Sequence, residues 1–355
     1  SYDSTVERVI KALNQVGKKH KEISDFEWIS KFIGDNYGKF PKQEWFPYYY
    51  GKALSKTEDK VEARNILMPI VRAKQSEFWV WDVLASTYSE PEIQIACFCA
   101  SLLCKVKNDS FRVNVHSELG AVLLEQELLA EAKREYIHSV DIYTNEEWKM
   151  PEELINIQTA DWFEQTEAAP NNVSFYKEHE PIAHEILLAS LPWVDAVISG
   201  RLEAKEGKKE LVFVGTLSGQ SIEETPVNPS KFPEVVELAI GSPIRIKTDQ
   251  FGDKTIVVAI EQRVGEEWDV LPLIAGVISQ VNENKAVSKV TTSKRTFCLL
   301  HHDKFPEAEK LTLGSFVGVK LRTDTKRNIS HAILFEVVDE IPEGCDFYRD
   351  YDGSI

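Results

Sequence analysis

Apolar positions in the first half of the chain recur at helical spacing, and small residues add a longer period. Gly51, Ala85 and Gly120 are separated by 34 and 35 positions. A second small residue follows each of them: Ala63, Ala96 and Ala132. Apolar residues at i, i+3, i+4 and i+7 form one helix face that only a stacked neighbour can cover. We therefore predict helix-turn-helix units over 44–145, with close helix approach at the small residues, inside a helical domain spanning 1–190.

The clearest unit carries the motif Trp81-x-x-Leu84-Ala85-x-x-Tyr88. This motif resembles the tetratricopeptide repeat, whose arrays bind an extended peptide or a partner helix on their concave face. The resemblance implies a set of partner-binding residues: Trp45, Tyr48, Lys52, Trp79, Asp82, Asn114 and Ser117. Alternatively, Trp45 and Trp79 only fill the core between neighbouring units.

The second half of the chain contains an internal duplication. Residues 231–260 align with 304–333 at a constant offset of 73, and eleven pairs are identical. Short alternating apolar and polar stretches with turn residues between them predict strands of a small closed β-structure. The expected fold class is α+β and multidomain, with a helical solenoid followed by two small all-β barrels of the oligonucleotide-binding (OB) type. The barrels are placed at 193–264 and 272–338, and an acidic tail follows at 339–355.

The second copy resembles a cold-shock domain. Residues 276–282, 285–290 and 298–301 are similar to the first three strands of that family. In cold-shock domains the second and third strands present aromatic rings for base stacking, and basic side chains follow the phosphates. Most of those rings are replaced here, as by Leu299, whereas His301 is kept. The resemblance implies a nucleic-acid set: Lys285, Lys289, Lys294, Arg295, Phe297, His301, Lys320 and Arg322.

Charge is distributed unevenly along the chain. The formal net charge is −16, but residues 272–335 carry ten basic and five acidic side chains. Phosphate binding depends on Lys and Arg, so any nucleic-acid contact is expected mainly in the second barrel. Helical repeats followed by paired cold-shock-like barrels also resemble accessory proteins of bacterial conflict and antiphage systems.

The sequence indicates no enzyme. His179 and His184 are five residues apart, which places them on different helix faces and argues against a zinc site. The sequence has no glycine-rich phosphate loop, nucleophile elbow or paired-cysteine zinc motif. We therefore expect no catalytic residues, no metal and no cofactor. Apolar runs are too short to span a membrane, so no membrane partner and a cytoplasmic location are expected.

These observations favour a non-catalytic adaptor. Its helical repeats would dock a protein partner, and its barrels would contact single-stranded RNA or DNA. The alternative is a purely protein-binding scaffold without nucleic-acid binding. An enzyme of unrecognised type is a third possibility.

Overall fold

The computed structural model describes residues 23–37, 39, 45–203, 210–324 and 329–338, with positions 5, 8, 9 and 11–13. Helices come first and are followed by two groups of five strands, which confirms the predicted α+β class. The predicted acidic tail lies outside the described residues. Within the described part of the chain, no helix is both long and apolar enough to cross a membrane.

Contacts divide the chain into two compact units. A helical unit comprises residues 1–192 together with 249–258, and a β region comprises 193–248 and 259–355. The helices of the first unit are α1 (Ile23–Tyr37), α2 (Phe46–Leu54), α3 (Lys60–Ala73), α4 (Phe78–Ala85), α5 (Pro91–Leu103), α6 (Val113–Glu125), α7 (Leu129–Asn145), α8 (Glu152–Gln158), α9 (Asp161–Gln165) and α10 (Val173–Leu188).

Helices α2 to α7 contact one another in successive pairs, α2 with α3, α4 with α5 and α6 with α7. The small residues of the repeat lie where the paired helices meet. A Cβ atom on Gly51 would lie 2.6 Å from Leu67 Cγ, and one on Gly120 would lie 3.1 Å from Tyr136 Cζ. Side chains larger than glycine would therefore push the pairs apart, and the predicted close approach is confirmed.

Residues 249–258 contact helix α3 and the turn after it inside the helical unit. Arg72 Nη1 donates a hydrogen bond to Asp249 Oδ2 at 2.8 Å. Arg72 Nε also donates to the Leu187 carbonyl at 2.7 Å. The Gln75 amide donates to the Val258 carbonyl at 3.2 Å. A charged group as buried as Arg72 needs such partners, because an unpaired buried charge is costly.

The first group of strands forms one sheet, here called the first sheet. It consists of β1 (Val194–Leu202), β2 (Leu211–Ser218), β3 (Ser221–Val227), β4 (Pro243–Phe251) and β5 (Lys254–Gln262), in the order β3-β2-β1-β4-β5. Strand β1 pairs antiparallel with both β2 and β4. On β1, β2 and β4 of this sheet, the side chains of Ile198, Val214 and Ile244 are fully buried.

The second group closes on itself and is called the second barrel. It consists of β6 (Ile274–Asn282), β7 (Val287–Thr291), β8 (Phe297–His301), β9 (Phe316–Asp324) and β10 (Ile329–Val338), in the order β10-β8-β7-β6-β9. Closure depends on a short parallel pairing between β8 and β10, which matches Ser330 with Cys298 and His331 with Leu299. The barrel interior is filled by small and aliphatic side chains, including Ile278, Val290 and Leu300.

The structure confirms the internal duplication. Gly241 and Gly314 both have left-handed backbones, with φ of 95° and 89°. Their N–H groups donate to the carbonyls of Ile198 at 2.7 Å and Ile278 at 2.9 Å. Strands β1 and β6 carry a register shift immediately after those two isoleucines. Both copies therefore share backbone details as well as strand order.

Candidate nucleic-acid interface

The outer face of β7 and β8 collects several of the predicted nucleic-acid residues. Alternate side chains of a strand point to opposite faces. Ser288 and Val290 are fully buried in the barrel, so Lys289 between them points outward. The register places Lys289 opposite Leu299 and Thr291 opposite Phe297. The outward side chains of both strands therefore form one continuous surface, which we call the β7–β8 face.

Lys289 and Phe297 interact directly on this face. The Lys289 ammonium lies 4.2 Å from the centre of the Phe297 ring. The Phe297 side chain is 43% exposed, so its ring is accessible to a ligand. A cation next to an exposed ring offers both a stacking surface and a phosphate contact.

His301 has a partner that the sequence did not reveal. Its Nε2 lies 3.0 Å from His331 Nδ1, and the two rings stack with their centres 5.2 Å apart. His331 belongs to β10, which reaches β8 only through the parallel pairing that closes the barrel. Parallel pairing joins strands that are distant in sequence. The alternation within β10 would have placed His331 on a strand but could not have placed it beside His301.

Basic side chains lie at both ends of β7. Lys285 ends a short turn before β7, where its N–H donates to Asn282 Oδ1 at 3.1 Å. Lys294 and Arg295 lie in the turn between β7 and β8, and both are exposed. The side chain of Ser293 shapes this turn by accepting the Thr296 N–H at 3.1 Å. Six of the eight predicted residues thus lie on the β7–β8 face or at its two ends.

Lys320 and Arg322 lie elsewhere, on β9. The Lys320 ammonium donates to the Trp268 carbonyl at 3.1 Å. Arg322 Nη2 donates to Glu224 Oε2 of the first sheet at 2.9 Å. Both side chains connect the second barrel to the first sheet or to the segment between them. The structure therefore does not bring these two residues to the β7–β8 face.

Two polar groups on β7 and just after β8 serve the barrel interior. His302 is buried, and its Nε2 lies 2.9 Å from Ser288 Oγ. His301 and His302 therefore point to opposite sides, as expected for successive strand residues.

Burial raises the pKa of the Cys298 thiol to about 12. Because the thiolate is the reactive form of cysteine, Cys298 is an inert core residue at neutral pH.

In the helical unit, the predicted partner-binding residues fall into two groups. Trp45, Tyr48 and Trp79 contact one another, with the Tyr48 and Trp79 ring centres 4.8 Å apart and those of Trp45 and Trp79 5.5 Å apart. Tyr48 is buried, and Lys52 lies 5.7 Å from its ring centre. This cluster joins α2 and α4, so these rings are part of the packing between neighbouring helix pairs.

Asp82 has a buried carboxylate oxygen and lies beside Glu118, whereas Asn114 and Ser117 border open space. Asn114 and Ser117 line a cleft of about 800 Å³ that also contains Lys56, Glu118 and Tyr143. Desolvation within the cleft and the nearby carboxylate of Asp82 raise the pKa of Glu118 above its usual range. Among the described residues, no three His, Cys, Asp or Glu side chains are arranged to hold a metal ion.

Comparisons with known proteins match two parts of the chain. Residues 44–183 match the model of a domain of unknown function, DUF7017. Residues 268–334 match S1/CSD-like domain 1 of the TOTE conflict systems. The second match confirms the cold-shock-like prediction for the second barrel and the resemblance to conflict systems. The tetratricopeptide identity of the helices stays a prediction.

Other comparisons add little. No curated protein matches the chain. A solved structure described as a murine DNA-binding protein bound with double-stranded DNA aligns with 42% of this chain and 99% of that one. Its sequence identity is 12% and its TM-score 0.19, too low to indicate a shared fold.

Proposed function

We propose that this protein is a non-catalytic adaptor whose second barrel binds single-stranded nucleic acid through the β7–β8 face. The helical unit docks a protein partner. The similarity of residues 268–334 to a conflict-system domain supports a role in bacterial defence.

The observation that carries the proposal is the convergence on the β7–β8 face. Lys289, Phe297 and the His301–His331 pair share the outer surface of the second and third strands of a closed five-stranded barrel. OB-type barrels bind oligonucleotides on that strand face. Exposed rings stack on bases regardless of sequence, and adjacent cations contact phosphates.

Single strands fit this surface better than duplex DNA. The exposed ring of Phe297 can stack only on a base that is not already stacked within a helix. Few cations are available on the face, and the whole chain has a net charge of −16. Duplex binding depends largely on neutralising many phosphates at once. The face therefore favours a short unpaired segment.

The cleft in the helical unit supports a protein partner. Asn114 and Ser117 come from α6, the first helix of the third pair, and both line the cleft. In a tetratricopeptide-like array this helix faces the concave surface. A cleft of this size, lined by both apolar and polar side chains, can accommodate a peptide segment, which supports the helical unit as the docking part of the adaptor.

The test is the affinity of the full chain for labelled single-stranded RNA and DNA, measured by fluorescence anisotropy over a salt series. We expect binding that weakens with salt and falls at least about tenfold in Lys289→Glu, because one phosphate contact becomes a repulsion. Lys310→Glu is the matched control. Lys310 is exposed on the same barrel but lies outside β7 and β8.

Two outcomes would contradict the proposal. Equal loss of affinity in Lys289→Glu and Lys310→Glu would mean that only net charge matters. Absence of binding at low salt would favour the alternative, a scaffold that binds proteins alone.

A further inference from the structure

An exposed tryptophan in the first sheet is accompanied by two cations. Trp193 precedes β1, and its side chain is 38% exposed. The Arg245 guanidinium carbon lies 4.9 Å from its ring centre, and the Lys247 ammonium lies 5.1 Å from it. Both cations come from the same side of β4, two residues apart. This combination of ring and cations resembles in kind the Lys289 and Phe297 pair of the second barrel.

The duplication shows what the fold itself requires at this position. Val194 pairs with Ile246 in the first sheet, and Ile274 pairs with Val319 in the second barrel. Trp193 therefore corresponds to Leu273, and Arg245 corresponds to Gly318.

In the second barrel this place holds a simple apolar contact. A Cβ atom on Gly318 would lie 2.8 Å from Leu273 Cδ2, so the leucine lies directly over the glycine. Lys320, which corresponds to Lys247, donates to the Trp268 carbonyl. A leucine over a glycine satisfies the fold at two of these positions, so Trp193 and Arg245 are not needed for packing, whereas the lysine is common to both copies.

Neighbouring acidic residues fix the position of the Arg245 cation. Arg245 Nε and Nη2 donate to Glu261 Oε2 at 2.9 and 2.7 Å. Asp195 lies opposite Arg245 in the register, and its Oδ1 is 3.4 Å from Arg263 Nε. Arg263 is also paired with Asp269, whose Oδ2 accepts from Arg263 Nη1 at 2.5 Å. The three cations Arg245, Lys247 and Arg263 therefore lie among three carboxylates, those of Glu261, Asp195 and Asp269. The indole thus stays partly exposed beside cations that are held in place.

We infer that Trp193, with Arg245 and Lys247, forms a second stacking site, which binds an unpaired nucleobase and its phosphate. The inference rests on the proposed function, because it extends the same ligand to the first sheet. An exposed indole binds any base by stacking, and the adjacent cations complement the phosphate charge. A single strand long enough to reach both sites would bind more tightly than one that fills the β7–β8 face alone.

The experiment compares oligouridylates of about 6 and about 30 nucleotides, since a single OB-type site covers roughly 4–16 nucleotides. The wild-type chain is compared with Trp193→Leu, which introduces the residue that the duplicated copy has at this place. Loss of one stacked base predicts about 5- to 150-fold weaker binding of the long strand and no change for the short one. Trp193→Phe keeps a ring and should recover most of the affinity.

A second measurement does not depend on the stability of any variant. Wild-type protein is irradiated with a long strand that contains 5-iodouridine, and the cross-linked peptides are identified by mass spectrometry. We expect a cross-link at Trp193 in addition to those on β7 and β8.

The outcomes separate the two proposals. Unchanged long-strand binding in Trp193→Leu without a cross-link at Trp193 would overturn the inference. If Lys289→Glu still weakens binding in that case, the proposed function stands. A wild type that binds neither strand would overturn both.

Discussion

The first sheet and the second barrel have the same strand order but use the equivalent face in opposite ways. Lys289 and Phe297 occupy the outer face of β7 and β8 in the second barrel. The strand registers place Phe213 and Glu224 at the corresponding positions of the first sheet. Glu224 accepts a hydrogen bond from Arg322 of the second barrel. The face that is exposed in one copy therefore contacts the other copy in the first sheet.

This difference shows what a duplication permits. Strand β3 of the first sheet contacts β9, and Ser221 Oγ accepts the Thr323 N–H at 2.9 Å. One copy has its face engaged in joining the two copies, which leaves the face of the other free for a ligand. Neither role requires a change in the shared backbone.

The closing strands differ as well. Ser330 and His331 pair with β8 and close the second barrel. The corresponding residues of the first copy are Val257 and Val258, which belong to the compact helical unit. The end of β10 thus closes the second barrel, whereas in the corresponding strand β5 the Val258 carbonyl accepts a hydrogen bond from the Gln75 amide.

The largest expected effect comes from matched cavities in the two cores. Ile198→Ala and Ile278→Ala remove equivalent side chains, which are 0% and 1% exposed. Each should lower the free energy of unfolding by about 2–5 kcal/mol. Hydrogen exchange should show local loss of protection, around β2 for Ile198→Ala and around β7 and β8 for Ile278→Ala. Unchanged protection of β7 and β8 in Ile278→Ala would contradict the packing of the second barrel.

A smaller but sharper contrast is expected at the paired glycines. Alanine in a left-handed backbone costs about 1–2 kcal/mol, and this applies to both Gly241 and Gly314. A Cβ atom on Gly241 would also lie 2.8 Å from Trp268 Nε1, whereas one on Gly314 meets nothing within 4 Å. Gly241→Ala should therefore be the more destabilising by about 1–3 kcal/mol in urea denaturation. Equal losses would mean that Trp268 moves away without cost.

Removing one ring from each copy tests the difference between their faces. Phe297→Ala should weaken single-strand binding by about 1–3 kcal/mol, the value of one stacked base. Phe213→Ala, at the Lys289 position of the first sheet, should leave the affinity unchanged. Anisotropy titrations at one salt concentration measure both. A comparable loss in Phe213→Ala would show that both faces meet the ligand.

The smallest effect is expected at the ion pair between the copies. The side chains of Arg322 and Glu224 are 43% and 27% exposed, so solvent screens their attraction. A double-mutant cycle with alanine at both positions should give a coupling of at most about 1 kcal/mol in the free energy of unfolding. The affinity of Arg322→Ala for single-stranded nucleic acid should equal that of the wild type. A loss of nucleic-acid affinity as large as that of Lys289→Glu would show that Arg322 contacts the ligand.

Much of the β architecture could be predicted because the duplication preserves residues with backbone or core roles. The identical pair Gly241 and Gly314 marks the same left-handed turn in both copies. The cold-shock resemblance also implied Lys289 as a nucleic-acid residue, and the structure places it on the outer face of β7. The repeat of small residues predicted where the helices meet.

The remaining features depend on contacts between distant segments. The position of His331 follows from a parallel pairing with β8, and local patterns do not encode such a pairing. Alternation also indicates that Arg322 points outward, but it cannot show that Glu224 covers it. The alignment of the two copies does not include Trp193, because this residue precedes the aligned block and lies where the offset between the copies is 80 and not 73.

The contact between Lys289 and Phe297 also affects how a ligand would arrive. The ammonium already occupies one face of the ring at 4.2 Å, so a base that stacks on that face must replace it. Under the proposed function, binding there would be an exchange in which the displaced cation becomes available to the incoming phosphate. Each phosphate neutralised on a single strand contributes about 0.7 to the slope of log affinity against log salt. Stacking of a base on Phe297 and the salt dependence of binding would therefore both report the same event, the displacement of the Lys289 ammonium from the ring.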